Sequence, residues 1–224
     1  MDAQPPISHF EQVIDRRDAT AWVKNQAFWC MDQMEGWCTQ QKASVLIDII
    51  LRARPQIIVE IGVWGGKSLI PMAAALKANG LGKIYGIDPW DNAASVQWVM
   101  DASNRQFWGT ADHQAILRGL RQKIDQFALG DHIELIEKTS EEAPLIQPID
   151  ILHVDGNHSD VTSYLDVTKW VPLVRPGGWI IFDDMTWHEN GKLTTSRAVA
   201  WLDSHCIKIA EVFDICLWGI WIKK

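Results

Sequence analysis

The chain has 224 residues, of which 47% are hydrophobic and 22% are charged, and its formal net charge is -7. These values are typical of one soluble globular domain with a sizeable core, and the acidic balance disfavours a nucleic-acid partner. Residues 1–10 lack the basic and apolar regions of a signal peptide, and no apolar run approaches the roughly 18 residues of a membrane helix. The four cysteines have no metal-binding spacing. We therefore expect a cytoplasmic protein with reduced thiols and without a nucleic-acid or membrane partner.

Residues 8–54 have a helical pattern that ends at Pro55, and strand and helix patterns alternate from there. Strands are predicted at 56–62, 83–88, 132–137, 149–155 and 176–184, helices at 66–80, 111–129, 161–174 and 195–205, and two further strands within 207–224. Such alternation is typical of a mostly parallel sheet that is covered on both faces. The predicted fold class is therefore α/β, with a seven-stranded sheet, helices on both faces and a C-terminal antiparallel strand pair.

Polar and acidic residues follow the predicted strands at their carboxyl ends. Ligands of α/β proteins bind at this edge of the sheet, near the point where the strand order reverses. Each residue taken singly would also suit a helix N-cap, but the whole set at one edge favours a binding site. The set consists of Glu60, Gly62, Asp88, Thr139, Ser140, Asp155, Asp183 and Asp184.

A glycine-rich turn, VEIGVWGGKSLI, joins the first strand to the following helix. A P-loop would need a glycine at Ile61, and a dinucleotide fingerprint would need one at Trp64, so both motifs are absent. Glycines permit close approach of a ligand, a helix N-terminus favours its carboxylate, and a nearby glutamate suits its ammonium group. With Asp88 placed for ribose hydroxyls, this pattern indicates S-adenosylmethionine as the cofactor. The pattern comprises Glu60, Gly62, Gly66 and Ser68.

The sequence resembles class I S-adenosylmethionine-dependent methyltransferases, and among them the metal-dependent small-molecule O-methyltransferases of the catechol and macrolide-sugar types. The resemblance covers roughly residues 40–224, and VDGNHSD and LVRPGGWIIFDDM carry it most specifically. It implies a Rossmann-like fold and methyl transfer to a hydroxyl of a small molecule, such as a sugar, a polyol or a phenolic natural product. We expect an N-terminal helical extension at 1–54 and a methyltransferase domain at 55–224, with a lid-like insertion near 89–110.

The resemblance also implies roles for the residues of the cofactor site. Glu60, Gly62 and Ser68 would contact the methionine moiety of S-adenosylmethionine. Asp88 would hold the ribose, and Ser140 would lie beside the adenine.

The same resemblance implies a divalent-metal site at Asp155, Asp183 and Asp184, whose carboxylates suit magnesium. His158 matches the position of a histidine in sugar-type enzymes and of a catalytic lysine in catechol-type enzymes. An unperturbed imidazole pKa of about 6.5 suits a general base, which is the role expected of His158. His153 lies inside a strand and is predicted to be a core histidine.

Two alternatives remain open, a hydroxylase-like relative of the same fold and a binding protein that has lost catalysis. The intact carboxylates and His158 disfavour the second. The sequence identifies neither the acceptor nor the oligomeric state. A homo-oligomer is compatible with the sequence. The role of His188 is open. Four tryptophans would either line the acceptor site or pack beneath the lid, namely Trp90, Trp98, Trp108 and Trp187.

Overall fold

The computed structural model describes residues 16–98 and 100–224. The predicted helical pattern at 8–15 lies outside these residues. The strands are β1 Ile57–Ile61, β2 Lys83–Ile87, β3 Ile133–Ile136, β4 Ile149–Val154, β5 Val174–Phe182, β6 His188–Glu189, β7 Lys192–Leu193, β8 Cys206–Phe213 and β9 Leu217–Lys223. The helices are α1 Arg16–Met31, α2 Gln40–Ala53, α3 Leu69–Asn79, α4 Asn92–Ser95, α5 Ala102–Thr110, α6 His113–Gln126, α7 Asp160–Trp170 and α8 Ser196–His205.

The main sheet has seven strands in the order β3-β2-β1-β4-β5-β9-β8. The strands from β3 to β5 pair in parallel, whereas β9 pairs antiparallel with both β5 and β8. The predicted fold class is therefore confirmed. The chain builds outward from β1 to β3 and then returns to β4 on the other side of β1, so that the strand order reverses between β1 and β4. Ligand sites of α/β proteins form at this switch point.

The central strands supply both hydrophobic cores because consecutive side chains point to opposite faces of a sheet. Ile58 and Ile151 belong to the core beneath α1, α2, α3 and α6. Their neighbours Val59 and Leu152 belong to the core beneath α7 and α8. Both faces of the parallel strands are thus buried, which fixes their carboxyl ends as a rigid platform.

The N-terminal helical segment consists of two helices rather than one continuous helix. Residues 32–39 separate α1 from α2, and the side chain of Thr39 caps α2 by accepting a hydrogen bond from the backbone N–H of Lys42. Both helices contribute to the same core as β1 and α3, through Val23 and Leu46 among others. The domain boundary after residue 54 stays a prediction. Helix α2 packs in the same core as β1 and α3, within the helical layer that covers this face of the sheet.

Two further segments frame the edge of the sheet. The predicted insertion contains α4 and α5, and a hairpin of β6 and β7 follows β5. None of the helices in the described residues combines the length and apolarity needed to span a bilayer. The four cysteines are free thiols in the structure.

Candidate active site

A cavity of about 750 Å³ opens at the carboxyl ends of β1 and β4, within the size range of ligand sites. Two residues of the predicted site, Glu60 and Gly66, are not among the residues that line it. The others all line the cavity, namely Gly62, Ser68, Asp88, Ser140, Asp155, His158, Asp183 and Asp184. The strands therefore bring together residues that lie up to 122 positions apart in the chain, from Gly62 to Asp184.

Gly62 turns the chain directly after β1. Its φ is +84°, and its backbone N–H donates to the carbonyl oxygen of Ile87 at 2.9 Å. A Cβ atom at this position would overlap the carbonyl oxygen of Asp155. The glycine thus allows β1 and β4 to end side by side, with their ligand-facing residues in contact.

Replacing Gly62 by alanine is expected to lower the free energy of unfolding by about 2–4 kcal/mol, from the left-handed backbone and the clash together. Gly80→Ala is the matched control, since Gly80 has a φ of +66° but no described atom lies within 4 Å of its added Cβ. The control should lose only about 1 kcal/mol. Urea denaturation measures both values, and equal losses would contradict the role assigned to the clash.

Asp88 ties the glycine turn to the end of β2. Its Oδ2 accepts hydrogen bonds from the backbone N–H groups of Val63 and Trp64, both at 3.0 Å, and its Oδ1 accepts one from Trp90 at 2.8 Å. Burial raises the pKa of Asp88, although these hydrogen bonds act in the opposite direction. Asp88 therefore shapes the loop in addition to any contact with a ribose.

A buried chain of polar groups runs beneath the cavity. Glu60 accepts a hydrogen bond from the Ser68 hydroxyl, and its Oε1 lies 2.9 Å from Nδ1 of His153. Nε2 of His153 lies 2.8 Å from Oδ2 of Asp183. His153 is fully buried, as predicted, and it connects the first and the fifth strand ends. In this structure Glu60 therefore supports the cavity floor.

Lys42 of α2 reaches the same carboxylates from the other side. Its Nζ forms an ion pair with Oδ2 of Asp183 and lies 3.7 Å from Oδ2 of Asp155. Burial favours the neutral amine, but the charges of Asp183 and Asp155 outweigh it and raise the pKa of Lys42. Lys42 is therefore a charged ammonium group between the carboxylates.

His158 lies on the cavity wall, where the loop between β4 and α7 turns. Its Nε2 is 2.9 Å from Oδ2 of Asp184 and 3.7 Å from Oδ1 of Asp155. Burial would lower the pKa of His158, but the hydrogen bond to Asp184 and the acidic neighbours raise it. Asp184 takes a left-handed conformation with φ +51°, which Asp tolerates better than most residues. Through its contact with Nε2, the Asp184 carboxylate orients the imidazole of His158.

The carboxylates around Asp155 suit a divalent cation. One ligand atom each of Asp155, His158 and Asp184 lies within 4.8 Å of the others, and the same is true of His153, Asp155 and Asp183. Oδ1 of Asp183 is buried and has no hydrogen-bond partner among the described residues. Burial and the charge of Asp183 raise the pKa of Asp155, as like charges do when they converge. Asp155 belongs to both groups, whereas Asp183 and Asp184 fall into different ones. The carboxylate oxygens are ligands of the kind that magnesium takes, and Lys42 lies between those of Asp183 and Asp155.

The far end of the cavity is lined by Ser140 and Asp166. The hydroxyl of Ser140 donates to Oδ1 of Asp166, whose Oδ2 is buried and unpartnered within the described residues. Burial raises the pKa of Asp166 to about 7. Ser140 is therefore held in place by a side chain that has one acceptor free.

Aromatic rings form much of the cavity wall. Trp64 is stacked on Trp37 with ring centroids 6.4 Å apart, and it meets Trp108 edge to face at 5.0 Å. Trp37, Trp64, Trp98, Phe107, Trp108 and Trp187 line the cavity, so that three of the four predicted tryptophans do so. Trp90 is buried instead, and its indole N–H donates to the carbonyl of Trp64. Trp90 therefore packs beneath the loop.

A profile of the family described as methyltransferase domain matches residues 59–185, which is more than half of the chain. This chain belongs to the methyltransferase family. The match spans the glycine turn, Asp88, Ser140 and the strand ends that carry the carboxylates. The assignment made from the sequence, a class I S-adenosylmethionine-dependent methyltransferase, is thus confirmed.

Solved O-methyltransferases share the fold of this methyltransferase. TomG of Streptomyces achromogenes, involved in tomaymycin synthesis and solved with SAM, is 16% identical, with a TM-score of 0.62 over 97% of this chain and 93% of TomG. An O-methyltransferase of Bacillus cereus solved with SAH is 14% identical, with a TM-score of 0.61 over 97% and 95% of the two chains. The methyltransferase PaMTH1 of Podospora anserina, also bound to SAH, is 14% identical, with a TM-score of 0.63 over the full length of both chains.

A protein of Sinorhizobium fredii, the uncharacterised y4gI, is 26% identical to the methyltransferase over 139 residues. The matched segment covers 62% of this chain and 14% of that relative.

The rim of the methyltransferase's cavity is held by Glu189, which sequence reasoning did not single out. Oε1 of Glu189 accepts hydrogen bonds from Asn104 at 2.8 Å and from the indole of Trp187 at 2.7 Å, and Oε2 accepts the backbone N–H of Asp101. One carboxylate thus joins the predicted insertion to the β6–β7 hairpin. His188 is exposed and does not line the cavity.

Three other functional candidates of the methyltransferase were also missed. Lys42 could have been found in the sequence, because it is a charged residue on the face of α2 that buries Leu46 and Ile50. Asp166 has a similar signal on α7, where it shares a buried face with Val167. The sequence gives no such signal for Trp37, since it lies in an irregular segment 25 residues before Gly62 in the chain.

Proposed function

We propose that this chain transfers the methyl group of S-adenosylmethionine to a hydroxyl of a small molecule, with His158 as the general base. The observation that carries the proposal is the position of His158. It lies on the wall of the cavity between an acidic cluster and Trp187, whose ring centroid is 5.1 Å away. A histidine oriented by a carboxylate is suited to remove a proton from a bound hydroxyl.

The cofactor would lie along the edge of the sheet from the glycine turn to Ser140. Gly62 and Ser68 line the part of the cavity proposed for the methionine moiety, and Asp88, directly after β2, lines the part proposed for the ribose. Ser140 and the free Oδ2 of Asp166 lie at the end proposed for the adenine. Glu60 would act through Ser68 and His153, since it does not line the cavity.

The acceptor would bind between His158 and the aromatic wall. Trp187 and the insertion's Trp98 and Trp108 face this space, and aromatic rings pack well against sugar or phenolic rings. Asp155, Asp183 and Asp184 would hold a divalent cation, for which we propose magnesium. When bound, the cation would supply Lewis-acid activation of the hydroxyl. The chain's own residues would align the hydroxyl with the methyl group and exclude water.

We expect S-adenosylhomocysteine to bind the wild-type chain with one-to-one stoichiometry in isothermal titration calorimetry. Asp88→Ala should weaken this binding at least about 10-fold, because the loop loses three hydrogen bonds to a half-buried carboxylate. Asp91→Ala is the matched control, since exposed Asp91 only caps α4 through the N–H of Ala94. Thermal melting confirms that both variants are folded.

Absence of binding to the wild type would overturn the proposed function. Once binding is established, incubation with a panel of hydroxylated small molecules identifies the acceptor by mass spectrometry. A mass gain of one methyl group is expected, whereas a gain of one oxygen would indicate the hydroxylase-like alternative.

A further inference from the structure

Lys42 is an unusual residue to find on the inner face of α2. Only 4% of its surface is exposed, and its helix neighbours on that face are apolar. Burying an ammonium group is costly unless an anion compensates for it. The side chain must therefore be held by its partners at the end of the sheet rather than by burial of its stem.

Those partners are two of the three carboxylates of the proposed metal site. Nζ of Lys42 pairs with Oδ2 of Asp183 and lies 3.7 Å from Oδ2 of Asp155. A further contact is with the ring of Trp218, whose centroid is 5.9 Å from Nζ. The ammonium group thus stands in the space between two strand ends where their negative charges converge.

Lys42 has room to leave this position. It lines the cavity, and its four-carbon side chain is flexible, so the ammonium can move without displacing α2. The start of α2 is anchored separately, because the Thr39 hydroxyl donates to Asp214 in the turn between β8 and β9.

We propose that Lys42 is a built-in competitor of the divalent cation, which keeps Asp155 and Asp183 together in the metal-free protein and has to be displaced when the cation binds. The inference rests on the metal site of the proposed function. Two cations that share the carboxylates of Asp155 and Asp183 repel each other, so the ammonium group weakens metal binding for as long as it stays. Removal of the ammonium group should therefore tighten metal binding.

The test measures Mn²⁺ binding to the folded chain without any acceptor, by calorimetry and by electron paramagnetic resonance of free Mn²⁺. Lys42→Met keeps the length of the side chain without its charge, and it should bind Mn²⁺ at least roughly 10-fold more tightly than the wild type. Lys42→Arg keeps the charge and should bind no more tightly. Lys24→Met is the matched control, because Lys24 pairs with Asp48 away from the cavity and should leave the affinity unchanged.

Equal or weaker binding by Lys42→Met would overturn the proposal, and so would a failure of both wild type and variant to bind Mn²⁺. Binding by the variant alone would support it. If Lys42→Met does not fold, crystals of the wild type with and without Mn²⁺ decide. Mn²⁺ at the carboxylates with Lys42 moved away supports the proposal, and Mn²⁺ there with the Lys42–Asp183 pair intact refutes it. Binding of S-adenosylhomocysteine, measured in the same samples, separates these outcomes from failure of the proposed function.

Discussion

His158→Ala is expected to lower kcat by roughly 100- to 10,000-fold, the usual contribution of a general base. The affinity for S-adenosylhomocysteine should barely change, because the hydrogen bonds that hold Asp88 and the glycine turn do not involve His158. Steady-state kinetics with an identified acceptor measure the loss.

Since hydrogen bonding to Asp184 raises the pKa of His158, the neutral base forms only above the ordinary imidazole range. Wild-type kcat should therefore rise with pH, and the variant should lose this inflection.

His188→Ala is the control for this experiment. His188 is exposed, and within the described part of the chain its Nδ1 has a single hydrogen-bond partner, the carbonyl of Thr186 at 2.7 Å. Its removal should leave kcat within about twofold, as for a surface substitution. Near-normal turnover of His158→Ala with an unchanged pH profile would show that His158 is not the base.

Asp183→Ala should cost about 3–5 kcal/mol of folding free energy, measured by urea denaturation in the presence of a chelator. The substitution leaves the buried Lys42 ammonium and His153 without their shared anion. Breaking one side of a buried ion pair is far more damaging than losing an exposed one. Glu134→Ala provides the comparison, since its pair with Lys83 is 3.5 Å long, largely exposed and should contribute less than about 1 kcal/mol.

The pH dependence and a double variant test the cause of this loss. Burial disfavours the charged carboxylate, but Lys42 and His153 outweigh it and lower the pKa of Asp183. Stabilisation by Asp183 is therefore present above the unfolded pKa of about 3.9 and is lost as the pH falls below it. Adding Lys42→Met to Asp183→Ala should recover part of the stability. No recovery would mean that the loss comes from packing instead of unpaired charge.

The sequence predicted those parts of the structure that depend on local patterns. The apolar run around Ile58 and the residues around Leu152 predicted buried parallel strands, because such strands have apolar side chains on both faces. Parallel strands also place their carboxyl ends at one edge, so Asp88 and Asp155 could be assigned to one site before any distance was known. The glycine turn was predictable because Gly62 occupies a conformation that other residues adopt only under strain.

The remaining parts depend on contacts between distant segments. Lys42 precedes Asp183 by 141 residues, and only the packing of α2 against the sheet brings them together. The same holds for His153, whose burial was predicted but whose position between Glu60 and Asp183 follows from strand pairing. Burial of Trp90 depends on its hydrogen bond to the loop, which no periodic pattern indicates.

The carboxylate of Glu189 has a consequence for how the protein reaches its native state. Its partner Asp101 lies 88 residues earlier in the chain, and three strands of the main sheet, β3, β4 and β5, lie between the two residues in sequence. Closing so long a loop is entropically costly until those strands have formed, so the rim cannot nucleate folding. We therefore expect the rim to be among the last regions to acquire protection from amide hydrogen exchange and among the first to lose it. The contacts around the mouth of the cavity would thus form late in folding and open readily in the native protein.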